Sequence, residues 1–450
     1  MTLTPITNRT ANFSSSSRPA TAEPLTPPAA PLKGGPDTVE LTAGTTKPPH
    51  GGTGAAAPKK WTVMVYSCSD NNLYRFMQDD LDEAERVGSN ENLNTVVETS
   101  HQPIAGTVER LQLMPDQKKG LHSPRLQDLG KKYDMADPKA LADFIEFGES
   151  KFPAEHYLLV VADHGGGWQG ACESESHDSW LTLPKLAQGL KMAQDATGRK
   201  LDGLGFDACL MGSTEVIHEL APYASYITGS EEVEGGAGWQ YDDATGKLRN
   251  GLTADLSHTN RNNRLSLSGV LQAAGSTSRS QATTPRQMAE AIVAMAKGHQ
   301  QDLGTMTAVD TSKVSELTKA LDGFGKAIIK TSVPSTQLSR VADQTQKFEE
   351  YYDLSDFAGK IASKFGKKDA DLAQAASSVQ AAVEGATVSE QHAEKYPNAH
   401  GLTIELDKHN SQKRPPHLSD REERVDFGTY AATALAQDTC WNLAINKIRG

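Results

Sequence analysis

Apolar and polar positions along the chain alternate between two kinds of run. Short, almost wholly apolar runs rich in β-branched and aromatic residues predict buried strands at 61–66 (WTVMVY), 94–99 (NTVVET), 156–162 (HYLLVVA), 201–206 and 224–228 (ASYIT). Between them lie segments with helical spacing, at 73–87, 138–149, 183–197 and 213–220. In the third of these, Leu183, Leu186, Leu190 and Ala193 share one face. Strands that are apolar throughout and alternate with helices predict a mostly parallel sheet covered on both faces, an α/β class. Further on, 285–297 and 313–331 read as helices, 400–406 (HGLTIEL) as a strand, and 425–436 as a closing helix.

Two segments break this pattern. Residues 1–58 are Pro, Ser, Thr, Gly and Ala with few large apolar residues, and such a stretch cannot bury enough surface to offset its ordering entropy. Residues 250–285 are Ser, Thr, Asn, Arg and Gly with little apolar periodicity. The expected organisation is a disordered tail at 1–58, a core at 59–249, a polar flexible loop at 250–285 and a C-terminal part at 286–450 that completes the domain. A hydrophobic share of 37% fits a chain of which part is not packed.

In parallel sheets the chemistry gathers beyond the carboxyl ends of the strands. Two segments there stand out. Asp163-His164-Gly165-Gly166-Gly167-Trp168 follows the third strand, and its glycines let a substrate approach backbone N–H groups. Asp207-Ala208-Cys209-Leu210-Met211-Gly212 follows the fourth, where a helix N-terminal field is expected to favour a thiolate at Cys209. A Cys and a His converging at one sheet edge are suited to nucleophilic catalysis. Asp70-Asn71-Asn72 follows the first strand at the same edge, as a helix cap or as part of the site.

The motifs WTVMVYSCSDNNL, LLVVADHGGGW, LTLPKLAQGL, LDGLGFDACLMGSTEV, SEEVEGGAGWQY, YDLSDFA, HGLTIEL and AQDTCW run in order from Trp61 to Trp441. In them the chain resembles the clostripain family of cysteine peptidases, relatives of caspases, gingipains and legumains. The resemblance implies a caspase-like αβα sandwich and cleavage after Arg or Lys. It makes His164 and Cys209 the catalytic dyad, puts the backbone N–H groups of Gly165 and Cys209 in the oxyanion hole, and sets Asp207 at the floor of the primary specificity pocket. Ser230, Glu231 and Glu232, at the end of the fifth strand, are expected to line the pocket wall. Intact Cys209, His164 and Asp207 speak against a catalytically silent interaction module, and no G-x-S-x-G elbow supports another hydrolase class.

Members of the family often mature by cutting at a basic residue in the loop after the His. Here residues 168–184 contain no Lys or Arg. Self-cleavage is expected instead at Arg18, Lys33 or Lys59-Lys60, or at Arg261, Arg264 or Arg279. No cofactor is required on this reading; Glu173, Glu175 and Asp178 could offer oxygen ligands to calcium, but without an EF-hand pattern. The Cys and His spacings do not suit zinc. The four cysteines are too few for a disulfide scaffold.

A net charge of −12 disfavours a nucleic-acid partner. No apolar run suits a membrane span, and the first residues lack the apolar stretch of a signal peptide. The expectation is a monomer acting on basic peptides or proteins, either cytoplasmic or exported by a non-classical route.

Overall fold

The first apolar run folds as β1 (Lys59–Ser67), and its side chains divide between two cores. Met64 and Tyr66 join one buried cluster, while Trp61, Val63 and Val65 join another. The same division holds for β5 (Ala154–Ala162), with Tyr157, Leu159 and Val161 on one side and Leu158 and Val160 on the other. Period-two alternation between two dry faces is why these strands read as continuously apolar.

A computed structural model describes residues 58–100, 106–239, 241, 284–296, 303–408 and 428–450. The expected tail, nearly all of the polar loop and the first residues of the predicted closing helix lie outside the described residues. The remainder belongs to one compact unit spanning 56–450.

The centre of the sheet is parallel, in the order β2 (Leu93–Ser100), β1, β5, β8 (Leu201–Asp207) and β9 (Ala224–Gly229). Antiparallel strands extend both sides. β3 (Val108–Gln112) and β4 (Arg125–Gly130) continue from β2, and β10 (Thr305–Asp310) and β13 (Thr387–His392) from β9. The first face carries α2 (Pro138–Lys151), α3 (Leu183–Thr197) and α4 (Thr214–Leu220), with helices Val314–Lys330, Leu354–Phe365, Ala370–Ala386 and Trp441–Arg449. The other face carries α1 (Tyr74–Val87) and the helix Pro285–Ala296. The architecture is the expected αβα sandwich.

Two elements differ from expectation. Of 400–406, only β14 (Thr403–Ile404) pairs, in a small sheet with β11 (Lys347–Phe348) and β12 (Tyr351–Asp353). Residues 401–406 are all buried, and Glu405 takes a hydrogen bond from the Trp168 indole at 3.2 Å. Its alternation therefore reflects internal polar pairing and not a wet face. The closing helix lies further on than expected. Thr433 caps a short helix, Ala434–Asp438, that stops at Thr439, and the terminal helix is Trp441–Arg449.

Candidate active site

Strand register brings the two motifs together. β5 pairs with β8 such that Ala162 stands opposite Asp207. His164 and Cys209 are each two residues past that pair, so both emerge level at one edge of adjacent strands. They line one cavity of about 210 Å³, together with Leu73, Met77, Asp163, Asp207, Ala208 and the 233–238 loop.

Gly165 packs directly on the Cys209 backbone, where a Cβ would collide with the Cys209 carbonyl oxygen and sit 3.0 Å from its nitrogen. The neighbouring residues carry the bridge between Gly165 and Ala171, through Cys172 N–H to His164 O at 3.1 Å and Gly166 N–H to Gly170 O at 2.8 Å. The N–H of Gly165 itself stays out of that ladder.

His164 is held by the DNN segment. Its Nε2 lies 2.7 Å from Asn72 Oδ1, and Glu173 Oε2 is 3.9 Å from the same nitrogen. An amide oxygen only accepts, so Nε2 is the donor in this contact. Asp163 is fixed in turn by Asn71 Nδ2 at 2.7 Å and by Glu173 N at 2.6 Å. Each DNN residue thus has a role at the site: Asn72 touches the histidine, Asn71 braces its neighbour, and Asp70 accepts from Ser174 Oγ and Ser176 N–H at its carboxylate and from Glu175 N–H at its backbone carbonyl.

The thiolate expected at Cys209 is not what the structure favours. The helix after it begins five residues on, at Thr214, with Ser213 as its cap. Burial and the Glu234 carboxylate push the Cys209 thiol up to about 12, with Asp207 adding to the rise. Leu210, the next residue, is left-handed at φ 67°, a tight turn that aims the thiol into the cavity. The thiol makes weak contacts with Glu234 N at 3.4 Å and Glu234 O at 3.8 Å.

Asp207 lines the cavity and is buried, with Oδ1 accepting from Trp239 N at 3.0 Å and Oδ2 from Tyr241 Oη at 2.9 Å. Burial raises its carboxyl to about 6 against those stabilising bonds. Gly238, at φ 48°, has no side chain to block the approach; a Cβ there would be 2.7 Å from Asp207 Oδ1.

The pocket wall is corrected. Ser230, Glu231 and Glu232 do not line the cavity; Val233, Glu234, Gly235, Gly236 and Gly238 do. Ser230 is turned to Thr305 at 2.8 Å, and Glu231 accepts from Gly401 N at 3.0 Å. The chain leaves β9 beneath the Cys209 loop, with Gly212 N bonded to Ser230 O at 2.7 Å, and so reaches the cavity only from residue 233. Glu234 is the acid that sequence reasoning missed. Its only signal was a position in the SEEVEGGAGW motif, with no periodicity to mark it.

The sequence profile of the clostripain family, Peptidase C11, matches residues 65–419. The chain belongs to the clostripain family. It is 27% identical over 246 residues to clostripain from Hathewaya histolytica, an alignment taking in 48% of this chain and 46% of clostripain, so the chain spans about half the length of that relative. Among solved structures, its fold is similar to a secreted C11 cysteine protease of Bacteroides thetaiotaomicron, iotapain. There the TM-score is 0.58 at 14% identity, over 86% of this chain and 99% of the other. An inactive zymogen C11 protease from Parabacteroides distasonis gives 0.53 at 17% identity, over 77% and 92%. These likenesses show the fold.

Other candidates in this clostripain-family chain separate. Glu173, Glu175 and Asp178 do not gather into a metal-sized group. Among the described residues, the sets that do are Cys68, Asp163 and Cys172, and Glu85, Asp116 and His122. Asp353 caps the helix Leu354–Phe365 through Asp356 N at 2.6 Å and takes His400 N at 2.6 Å, away from the cavity. No described helix is long and apolar enough to cross a membrane.

Proposed function

We propose that this clostripain-family chain is a cysteine endopeptidase that hydrolyses peptide bonds after Arg or Lys, with Cys209 as nucleophile and His164 as acid and base. The observation that carries the reading is the level emergence of both residues into one cavity that is also lined by a buried carboxylate. Cys209 Sγ attacks the scissile carbonyl as its proton passes to His164 Nδ1. The oxyanion is met by the N–H groups of Gly165 and Cys209. His164 then protonates the departing amine, leaving a thioester, and activates the water that hydrolyses it. The thiol is held protonated at rest by burial and nearby acids. A substrate cation seated against Asp207 offsets that field, so a correct side chain also eases ionisation of the sulfur.

Digestion of a peptide library by wild type and Cys209→Ala tests this reading. Cleavage confined to bonds after Arg and Lys, and lost in the variant, supports it; no cleavage by wild type would leave only a binding role. His164→Ala should lower kcat by roughly 10²–10⁴, and Asn72→Ala by a smaller factor of about ten or more. KM should stay near wild type in both, because neither residue holds the substrate.

The hairpin after His164 bears on maturation. β6 (Ala171–Ser174) and β7 (Ser179–Leu181) pair from Ala171 to Leu181, and Asp70 pins the tip. With no Lys or Arg in 168–184, the enzyme is expected to work with this hairpin whole. Lys59 and Lys60 drop out as cutting sites, because they begin β1 and Lys60 pairs with Glu155 at 2.6 Å. Self-cleavage is left to Arg18, Lys33, Arg261, Arg264 and Arg279. N-terminal sequencing of matured protein checks this: a Cys209-dependent new end within 169–185 would refute it.

A further inference from the structure

The acid with spare capacity in the cavity is not Asp207. Each Asp207 oxygen already accepts a bond from its own chain, from Trp239 N and from Tyr241 Oη. Glu234 lines the same cavity and is 8% exposed, yet among the described residues neither of its carboxylate oxygens makes a hydrogen bond of ordinary geometry, only looser contacts. Its polar neighbours are the Asp207 carboxyl and the Trp239 indole. Among the described residues, no Lys or Arg lines this cavity. A carboxylate offers about four lone-pair sites, and leaving them empty in a dry pocket costs free energy that a ligand can recover.

We propose that Glu234 is a specificity-determining residue that, with Asp207, forms a two-carboxylate seat for the substrate's guanidinium. This rests on the basic-specificity reading above and deepens it. Two touching carboxyls in a water-poor site cannot both ionise without a counter-charge. With the seat empty, the pair retains a proton: burial and the Asp207 charge hold the Glu234 carboxyl well above its ordinary range. An arriving guanidinium supplies the missing charge, and its five N–H donors reach both acids at once. The Glu234 backbone also touches the catalytic sulfur through its N–H and its carbonyl. The residue that reads the side chain therefore borders the residue that cuts.

The test compares matched peptides ending in Arg or in citrulline at the cleaved bond. Citrulline keeps the shape of Arg and removes its charge. Glu234→Gln and Glu234→Ala are measured beside wild type for kcat and KM, with thermal melting and iodoacetamide alkylation of Cys209 as checks on the site. The expected result is a fall of about tenfold or more in the Arg-to-citrulline ratio of kcat/KM in both variants, mostly through KM for Arg. Citrulline cleavage should be equal or faster, and alkylation no slower. An unchanged ratio with normal melting overturns the proposal. Equal loss on both substrates also overturns it, because that is the mark of a structural role. If wild type itself fails to prefer Arg to citrulline, the basic-specificity reading falls first.

Discussion

Cys209→Ala is expected to reduce hydrolysis by roughly four to six orders of magnitude while the protein still folds. The loss is large because in the proposed mechanism the sulfur forms the bond that replaces the peptide bond, and no other described thiol stands in the cavity. Cys68 and Cys172 are buried behind it, and Cys440 packs near the terminal helix. The cost to stability is small. The sulfur's contacts, at 3.4 and 3.8 Å, are weak, and removing one buried heavy atom typically costs about 1 kcal/mol. The measurement is a burst-free progress curve on an Arg peptide beside a melting curve within a few degrees of wild type. A Cys209→Ala, His164→Ala double variant should be no worse than Cys209→Ala alone, since the two act as one unit. Residual activity at a few per cent of wild type would remove Cys209 from its role.

Asp207→Asn should lower kcat/KM on Arg and Lys peptides by roughly a hundredfold, the cost of breaking a buried charge pair at about 3 kcal/mol. Stability should move the other way. Folding raises the Asp207 carboxyl from 3.8 to about 6, so the folded state binds the proton more tightly than the unfolded chain. The stabilising contribution of this group is full below about 3.8 and is lost as pH rises through about 6. At neutral pH the ionised side chain is therefore a burden that Asn does not carry. Melting of Asp207→Asn at pH 7 should equal or exceed wild type, with the difference shrinking on acidification. A variant that loses activity and stability together at pH 7 would make Asp207 a structural support.

The parts of this fold visible in the sequence are those where burial dictates residue type. The five parallel strands sit between two dry faces, and their apolar runs at 61–66 and 156–162 announced them and the loops that follow. The four antiparallel strands gave no such signal. β4 is largely exposed, and β13, TVSEQH, is half-buried and polar but for Val388. The helix Ala370–Ala386 is rich in Ala and Ser, so its buried side, Leu372, Ala376, Val379 and Val383, scarcely contrasts with the rest. At the site, His164 and Cys209 follow strand ends and the segments that carry them were located by that rule, whereas Asp207 ends its strand and was singled out through the family resemblance. Glu234, Trp239 and Tyr241 come from a glycine-rich loop with no periodicity, held in part by tertiary contacts such as Tyr241 N on Glu83 at 3.0 Å.

The seam between β9 and β10 decides what a single cut would produce. These strands pair antiparallel from Tyr226–Asp310 to Gly229–Thr307, and Arg261, Arg264 and Arg279 all fall in the stretch of sequence between them. Beyond the seam, Thr214 Oγ1 donates to Thr403 O at 2.7 Å, and Tyr430 Oη to Glu215 at 3.0 Å. Cutting after any of those arginines would turn an internal sheet and a shared core into a subunit interface. The nicked protein would have quaternary structure made from one polypeptide: two bands under denaturing conditions, one mass in native solution, and neither half able to keep the catalytic edge by itself.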